Sequence, residues 1–301
     1  MTTGDEQKAL ERRPVFWFYG SSSIAYGIKD NAFSYLLLTF ANQALGVPGY
    51  LASLALAIAI VWDALTDPLL GHWSDKTQSK LGRRHPFMYA ALFILPASFY
   101  ALFNPLIDVR GEDAFWYVFI LAILIRTGTT LFEVPCTALL PDLEKDYDRR
   151  NRWLALRHLF GWTGGNGLHT VNVTFWVGAY GFASATGYMI YGTVGAVIIA
   201  LAIILSSLGT QRAAAQMPSP QEPFRFNAIG KEFGQIFESL KNRNFAALFF
   251  YSLLFGAAAG LSTALYLYIT RFFFEFTGAQ IGITGIAVLV APFIAWPLAP
   301  K

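Results

Sequence analysis

The chain has 301 residues, of which 55% are hydrophobic and only 14% are charged. Soluble domains carry about 25% charged residues, so this composition excludes a soluble domain and predicts a protein that crosses the membrane several times. The single cysteine, Cys136, excludes an intramolecular disulfide. The net charge of +3 comes from basic loops, described below, and does not indicate binding to nucleic acid.

Eight apolar segments are long enough to span a membrane, which takes about 20 residues in a helix. We number them as spans 1 to 8, with predicted bounds of 15–43, 50–72, 87–105, 114–138, 154–178, 186–209, 245–270 and 281–299. The polar residues 1–14 lack the apolar core and cleavage site of a signal peptide. We therefore predict an all-α polytopic membrane protein whose first span stays in the membrane.

Basic residues are concentrated on one side of the predicted membrane. The N-terminal tail and the connections after spans 2, 4 and 6 carry most of the 22 Lys and Arg residues. These residues are Lys8, Arg12, Arg13, Lys76, Lys80, Arg83, Arg84, Lys145, Arg149, Arg150, Arg152, Arg212, Arg225, Lys231, Lys241 and Arg243. The opposite side carries only Arg110 and Arg271, so the positive-inside rule places the N-terminus in the cytoplasm.

The connection after span 6 is the longest, and it is rich in glutamine, proline and charged residues. Six spans, a cytoplasmic linker and further spans are the layout of the major facilitator superfamily, which has two six-helix halves. We predict a tail over 1–14, an N-terminal six-helix bundle over 15–209, a linker over 210–244 and the start of a C-terminal bundle over 245–301. We expect a fragment that does not transport alone, because half of the substrate cavity would come from further helices.

Asp63 and Asp67 lie one helical turn apart within span 2, on the same face of the predicted helix. Carboxylates are costly in hydrocarbon, so they predict a functional site that faces the protein interior. Pro68 lacks an N–H and leaves the carbonyl of Ala64 free. Two carboxylates, this carbonyl and the Thr66 hydroxyl are oxygen ligands that suit either a hard cation such as Na⁺ or a shared proton.

Further charged residues lie inside spans 1 and 4. Lys29 and Asp30 are adjacent and point about 100° apart, so we expect each to find a partner elsewhere. They mark either a transport pathway or a structural ion pair. Arg126, Thr130 and Glu133 form one polar stripe. We expect Glu133 to face span 2, with Arg126 either neutralising it or pairing with an acid of span 1.

Arg157 lies near the start of span 5. Its guanidinium either reaches the cytoplasmic surface or makes bidentate bonds to substrate hydroxyls or a carboxylate. Several glycines follow in the same span and favour close helix packing. They are Gly161, Gly164, Gly165 and Gly167.

The connection after span 2 carries a second polar motif. Gly71 permits close packing of span 2, and we expect Asp75 with Arg83 and Arg84 to form a cytoplasmic ion-pair network. Such a network would stabilise an outward-open state and break on switching. The alternative is ordinary positive-inside charge.

Two stretches carry a resemblance to a known family. DALTDPLLGHWSDKTQSKLGRRHPF (63–87) and FEVPCTALLPDLEKDYDRRNRWLALRHLFGW (132–162) resemble the helix 2–3 and helix 4–5 signatures of the glycoside–pentoside–hexuronide:cation symporters. That family lies within the major facilitator superfamily and includes the melibiose permease. The resemblance covers all eight spans, and it implies cation-coupled sugar or glycoside uptake in the bacterial inner membrane, without a cofactor.

The resemblance also implies roles for individual residues. The coupling cation, Na⁺ or H⁺, would bind at Asp63, Asp67 and Thr130, with Thr66 where the family has asparagine. No metal other than this cation is implied. The sugar would bind at Lys29, Asp30, Glu133 and Arg157. Two aromatic positions of the melibiose permease are Thr129 and Thr137 here, so galactoside specificity is not implied.

Two other functions fit parts of the pattern. A lysolipid transporter on the same fold is the main alternative, because the charged residues suit a head group as well as a sugar, and the family also contains lysolipid carriers. A membrane-embedded enzyme is not favoured, because the four histidines show neither metal-ligand spacing nor a nucleophile arrangement. The predicted partners are therefore a small-molecule substrate, the coupling cation and the lipid bilayer.

Overall fold

The computed structural model describes residues 14–215 and 238–298. Residues 1–13, 216–237 and 299–301 lie outside the described residues, and they include most of the predicted tail and linker with Lys8, Arg12, Arg13, Arg225 and Lys231. Within the described residues, one long helix follows each predicted span. These helices are α1 (14–44), α2 (Gly49–Lys76), α3 (His85–Phe103), α4 (Ala114–Ala138), α5 (147–180), α6 (Ala185–Ala215), α7 (Arg243–Phe273) and α8 (Gly278–Leu298).

Five of these helices are long and apolar enough to cross a membrane by length and composition, namely α2, α3, α4, α6 and α7. α8 contains a shorter apolar stretch. α1 and α5 carry more polar residues, which turn out to line a cavity between them. α5 also begins earlier than predicted, at Tyr147, because the Asp146 side chain caps the helix by accepting from the backbone N–H of Arg149.

Turns of π-helix interrupt α1, α5 and α7. They span Ala32–Leu36, Phe40–Ala44, Asn172–Trp176 and Ile269–Phe273. Such turns carry one extra residue and occur often near functional sites. The first of them follows directly after the charged residues of α1.

The α7–α8 pair repeats the backbone pattern of the α1–α2 pair. At the end of α1, the N–H of Val47 bonds to the carbonyl of Ala41 at 2.9 Å. At the equivalent place after α7, the N–H of Phe276 bonds to the carbonyl of Thr270, also at 2.9 Å. A fold built from two similar halves accounts for this repetition.

α1 and α5 pack closely, and glycines face each other at this contact. A Cβ added at Gly27 would overlap the carbonyl oxygen of Gly161, and one at Gly165 would overlap the Gly27 carbonyl. The close helix approach predicted from the glycines of span 5 is therefore present. α6 packs against α1 and α3, and α4 packs against α2 and α3. This arrangement brings the charged faces of α1, α2, α4 and α5 together.

Gly27→Ala tests this close approach. The added methyl group meets rigid backbone, so we expect the free energy of unfolding to fall by about 1–3 kcal/mol. Gly71→Ala is the matched control, because a Cβ there meets only Val134 at an ordinary 3.5 Å. Thermal unfolding in detergent, followed by tryptophan fluorescence, measures both variants. Equal melting temperatures for the two variants would contradict the packing described here.

Candidate functional site

A cavity of about 430 Å³ lies between α1, α4 and α5. Its polar lining includes Asp30, Glu133 and Arg157, which are three of the four predicted substrate-binding residues. Tyr26 and Trp162 contribute aromatic surface. A concave site with a few convergent polar groups and aromatic rings is typical of small-molecule binding.

Arg157 holds the wall of this cavity together. Its Nε donates to Ser23 Oγ at 3.1 Å, and its Nη1 donates to Thr137 Oγ1 at 2.8 Å and to Tyr19 Oη at 3.3 Å. Its Nη2 forms an ion pair with Glu133 Oε1. The residue is only 7% exposed. Arg157 is therefore held inside the protein and does not reach toward the surface.

Glu133 faces α5 and not α2, which corrects the expectation from the polar stripe. Its Oε1 accepts from Arg157 and from Thr137, the latter at 3.2 Å. Its Oε2 is buried and accepts no hydrogen bond from any of the described residues. The reason for the orientation is the guanidinium on α5, which is a stronger partner for a carboxylate than any neutral group nearby. One oxygen of Glu133 thus lacks a hydrogen-bond partner among the described residues.

Lys29 and Asp30 differ in where they lie. The Lys29 Nζ is 3.9 Å from Asp30 Oδ1 and 4.8 Å from the centroid of the Tyr26 ring. The two neighbours therefore do approach each other, contrary to expectation. Lys29 is 2% exposed and does not line the cavity, whereas half of the Asp30 side chain is accessible. The predicted direct contact between Lys29 and the substrate is thus not supported by the geometry.

Asp63 of α2 is paired with Arg126 of α4. The Arg126 Nη1 lies 2.5 Å from Asp63 Oδ2, and its guanidinium lies 4.8 Å from the centroid of the Phe33 ring. Both expectations for Arg126, a bond to Glu133 or to an acid of span 1, are wrong. Arg126 and Glu133 are seven residues apart on α4, which is roughly 10 Å along the helix axis, so they lie at different depths.

Asp67 has a different environment from Asp63. The Thr130 hydroxyl lies near the Asp67 carboxyl group. That hydroxyl also donates to the Arg126 carbonyl at 3.1 Å, so its single proton cannot serve both acceptors at once. Among the described residues, no cation forms an ion pair with Asp67.

The Thr66 hydroxyl is turned to the backbone of its own helix. It donates to the carbonyl of Trp62 at 3.0 Å, one turn back, which is a common arrangement for threonine in a helix. The predicted cation set of Asp63, Asp67, Thr66 and Thr130 is therefore only partly assembled. Asp67 and Thr130 approach each other. Asp63 is paired with Arg126, and the Thr66 hydroxyl donates its proton to the Trp62 carbonyl.

The ion-pair network at the α2–α3 connection is present and contains an acid that sequence reasoning missed. Arg84 Nη2 lies 2.7 Å from Asp75 Oδ1, and Arg83 Nη2 lies 2.6 Å from Asp142 Oδ2. Arg84 Nη1 binds the same Asp142 oxygen at 2.5 Å and also donates to the Ala138 carbonyl. Gly71 is not needed for close packing, because its surroundings leave room for a methyl group. The network therefore ties α2 and α3 to the end of α4.

Sequence reasoning also missed the aromatic residues of the cavity. The cavity-lining residues of α1 include Ser23, Tyr26, Gly27, Asp30, Asn31 and Ser34, which recur every three or four residues. The cavity-lining residues of α5 include Leu154, Arg157, His158 and Gly161, with the same spacing. The cavity-lining residues of α1 and α5 could therefore have been predicted by helical spacing, counted from Asp30 along α1 and from Arg157 along α5.

The chain matches the family described as "MFS/sugar transport protein" over residues 18–301. The chain belongs to this family. It is accordingly an integral membrane protein with the all-α fold of the major facilitator superfamily.

Several known proteins are similar to parts of the chain. "Uncharacterized symporter sll1374" of Synechocystis is 32% identical over 47% of this chain and 27% of its own length. "Sucrose transport protein SUT2" of Oryza sativa subsp. indica is 29% identical over 52% of this chain and 36% of its own length. "Sodium-dependent lysophosphatidylcholine symporter 1" of Gallus gallus is 26% identical over 46% of this chain and 26% of its own length. The chain thus matches about a quarter to a third of each relative's length.

A pair of variants tests the Arg157–Glu133 contact. Arg157→Met leaves Glu133 without its cation, so we expect the double variant Arg157→Met/Glu133→Gln to be more stable than the single variant by roughly 1–3 kcal/mol. Thermal unfolding in detergent gives the comparison. The exposed Arg110–Asp108 pair is the control, since exposed pairs show little coupling. A double variant no more stable than Arg157→Met would show that the contact is absent.

Proposed function

We propose that the full-length protein is a secondary active transporter that couples the entry of a sugar or glycoside to that of a cation. The observation that carries this proposal is the cavity between α1, α4 and α5, because its wall combines carboxylates, an arginine and aromatic rings. Two carboxylates accept hydrogen bonds from sugar hydroxyls, and Arg157 donates to them. Tyr26 and Trp162 supply apolar faces against which a sugar ring can pack.

The coupling cation, Na⁺ or H⁺, is assigned to the α2–α4 contact around Asp63, Asp67 and Thr130, with Thr66 at its edge. Lys29 links this contact to the cavity electrostatically, because its charge is repelled by Arg126 and attracted by Asp30, Asp63 and Glu133. A cation that changes the charge near Asp63 therefore changes the electrostatic environment of the cavity carboxylates. By linkage, cation and substrate then raise each other's affinity by the same factor.

Alternating access supplies the transport step. In this fold the two halves rock around a central site. The network of Asp75, Arg83, Arg84 and Asp142 holds the ends of α2, α3 and α4 together in the state described here. We assign this end to the cytoplasm, in a bacterial inner membrane with the N-terminus inside, from the basic residues of the loops. Opening toward that side would require these ion pairs to break.

A lysolipid or another amphiphile is the second candidate substrate. The similarity to a protein named as a lysophosphatidylcholine symporter favours it. The polar cavity suits a head group, and transport would need an apolar surface for the chain of the lipid. In either case the protein acts as a transporter and not as an enzyme, so the substrate leaves chemically unchanged.

Asp67→Asn tests the proposed coupling in membrane vesicles that contain the full-length protein. We expect accumulation of a labelled sugar or glycoside to fall to a ratio of about 1, because a carrier without its coupling ion only equilibrates its substrate. Exchange of labelled for unlabelled sugar should persist, since it needs no net ion movement. Asp108→Asn, at an exposed aspartate, is the matched control and should accumulate normally.

Cation-dependent accumulation by Asp67→Asn would contradict the assigned cation site. Absence of gradient-driven uptake for every sugar, together with uptake of labelled lysolipid, would move the substrate to the second candidate. A chemically altered product would contradict transport and indicate an enzyme.

A further inference from the structure

The charged groups around the cavity and the α2–α4 contact do not balance. Three of the carboxylates each have a nearby cation: Asp30 has Lys29, Asp63 has Arg126, and Glu133 has Arg157. Asp67 is the fourth carboxylate, and among the described residues its close polar contact is the neutral Thr130. These four carboxylates and three cations therefore carry a net charge of −1, and Asp67 is the carboxylate without a paired cation.

Arg126 is firmly held at Asp63. The Nη1–Oδ2 distance is 2.5 Å, and the side chains of Arg126 and Asp63 are only 14% and 20% exposed. The guanidinium also packs over the Phe33 ring at 4.8 Å. Burial strengthens this charge–charge attraction because little water is present to screen it. Arg126 thus occupies the Oδ2 side of the Asp63 carboxylate, and its positive charge lies next to any ion that would bind at Oδ1.

A sodium ion shared by Asp63 and Asp67 would be opposed by this arginine. The second oxygen of Asp63, Oδ1, belongs to the same carboxylate that Arg126 already neutralises. An ion bound there would lie one carboxylate group away from a guanidinium of like charge. The Thr66 hydroxyl proton is directed to the Trp62 carbonyl, and Lys29 adds a second positive charge nearby. Hard cations need several oxygen ligands. Around Asp63 and Asp67 such oxygens are few, and the positive charges of Arg126 and Lys29 lie nearby.

We propose that Arg126 is a specificity-determining residue that acts as a tethered cation and excludes Na⁺ and Li⁺ from the Asp63–Asp67 pair. The inference rests on the proposed cation-coupled transport. The charged groups that act electrostatically on Asp67 are Asp63 on α2, Arg126 on α4 and Lys29 on α1. Replacing the arginine by a neutral residue should open the pair to a metal ion.

The test is a binding measurement on the purified full-length protein that needs no substrate. Thermal unfolding is followed by tryptophan fluorescence in NaCl, LiCl and choline chloride at equal ionic strength. The natural protein should melt at the same temperature in all three salts. Arg126→Gln should be stabilised by Na⁺ or Li⁺, with an affinity at least about tenfold higher than that of the natural protein, because a like charge has been removed.

Four further variants complete the test. Arg126→Lys keeps the charge and should show no response to Na⁺. Arg126→Gln/Asp67→Asn should lose the response, which assigns it to this pair. Arg110→Gln removes an exposed arginine elsewhere and should behave like the natural protein. Arg126→Asn replaces Arg126→Gln if the latter does not fold.

Two results would overturn the inference. One is stabilisation of the natural protein by Na⁺ over choline, and the other is absence of any metal response after Arg126 is neutralised. Neither result depends on sugar uptake, so a failure of the proposed transport function is recognised separately, as absence of uptake under every imposed gradient.

Discussion

Charge compensation between helices is the constraint on which this structure depends. Charged side chains inside a membrane protein are costly unless they pair. Arg126 joins α4 to α2 through Asp63, and Arg157 joins α5 to α4 through Glu133. The glycine contacts between α1 and α5 then bring Asp30 and Lys29 beside these pairs. The cavity lies beside these contacts, and Glu133 and Arg157, which join two helices, also form part of its polar wall.

The pairing also explains how two sites can act on each other. Lys29 is buried, and its charge interacts electrostatically with Asp63 of the α2–α4 contact and with Asp30 and Glu133 of the cavity. Because little water surrounds these carboxylates, a change of charge at one of them alters the electrostatic potential at the others. Coupling of a cation to a substrate then requires no long pathway, since the groups concerned are neighbours.

The helices could be predicted from the sequence, because the length of each apolar segment indicates a span. Residue spacing placed Asp63 and Asp67 on one helical face and placed Arg126 on the stripe with Glu133. Spacing along one helix does not give the rotation of its neighbours, which is why the partner of Arg126 was predicted wrongly. The Asp142 contact and the Thr66 hydroxyl bond depend on local side-chain geometry, which a sequence pattern does not contain.

The central claim is that the charged group around Asp67 lacks one positive charge, which the coupling ion supplies. The number of charges that enter with each neutral sugar tests this claim most directly. It is obtained from transport currents of proteoliposomes containing the full-length protein, calibrated by uptake of labelled sugar in the same preparation. The account predicts about one positive charge per sugar molecule. Uptake against a gradient without any charge movement would contradict it.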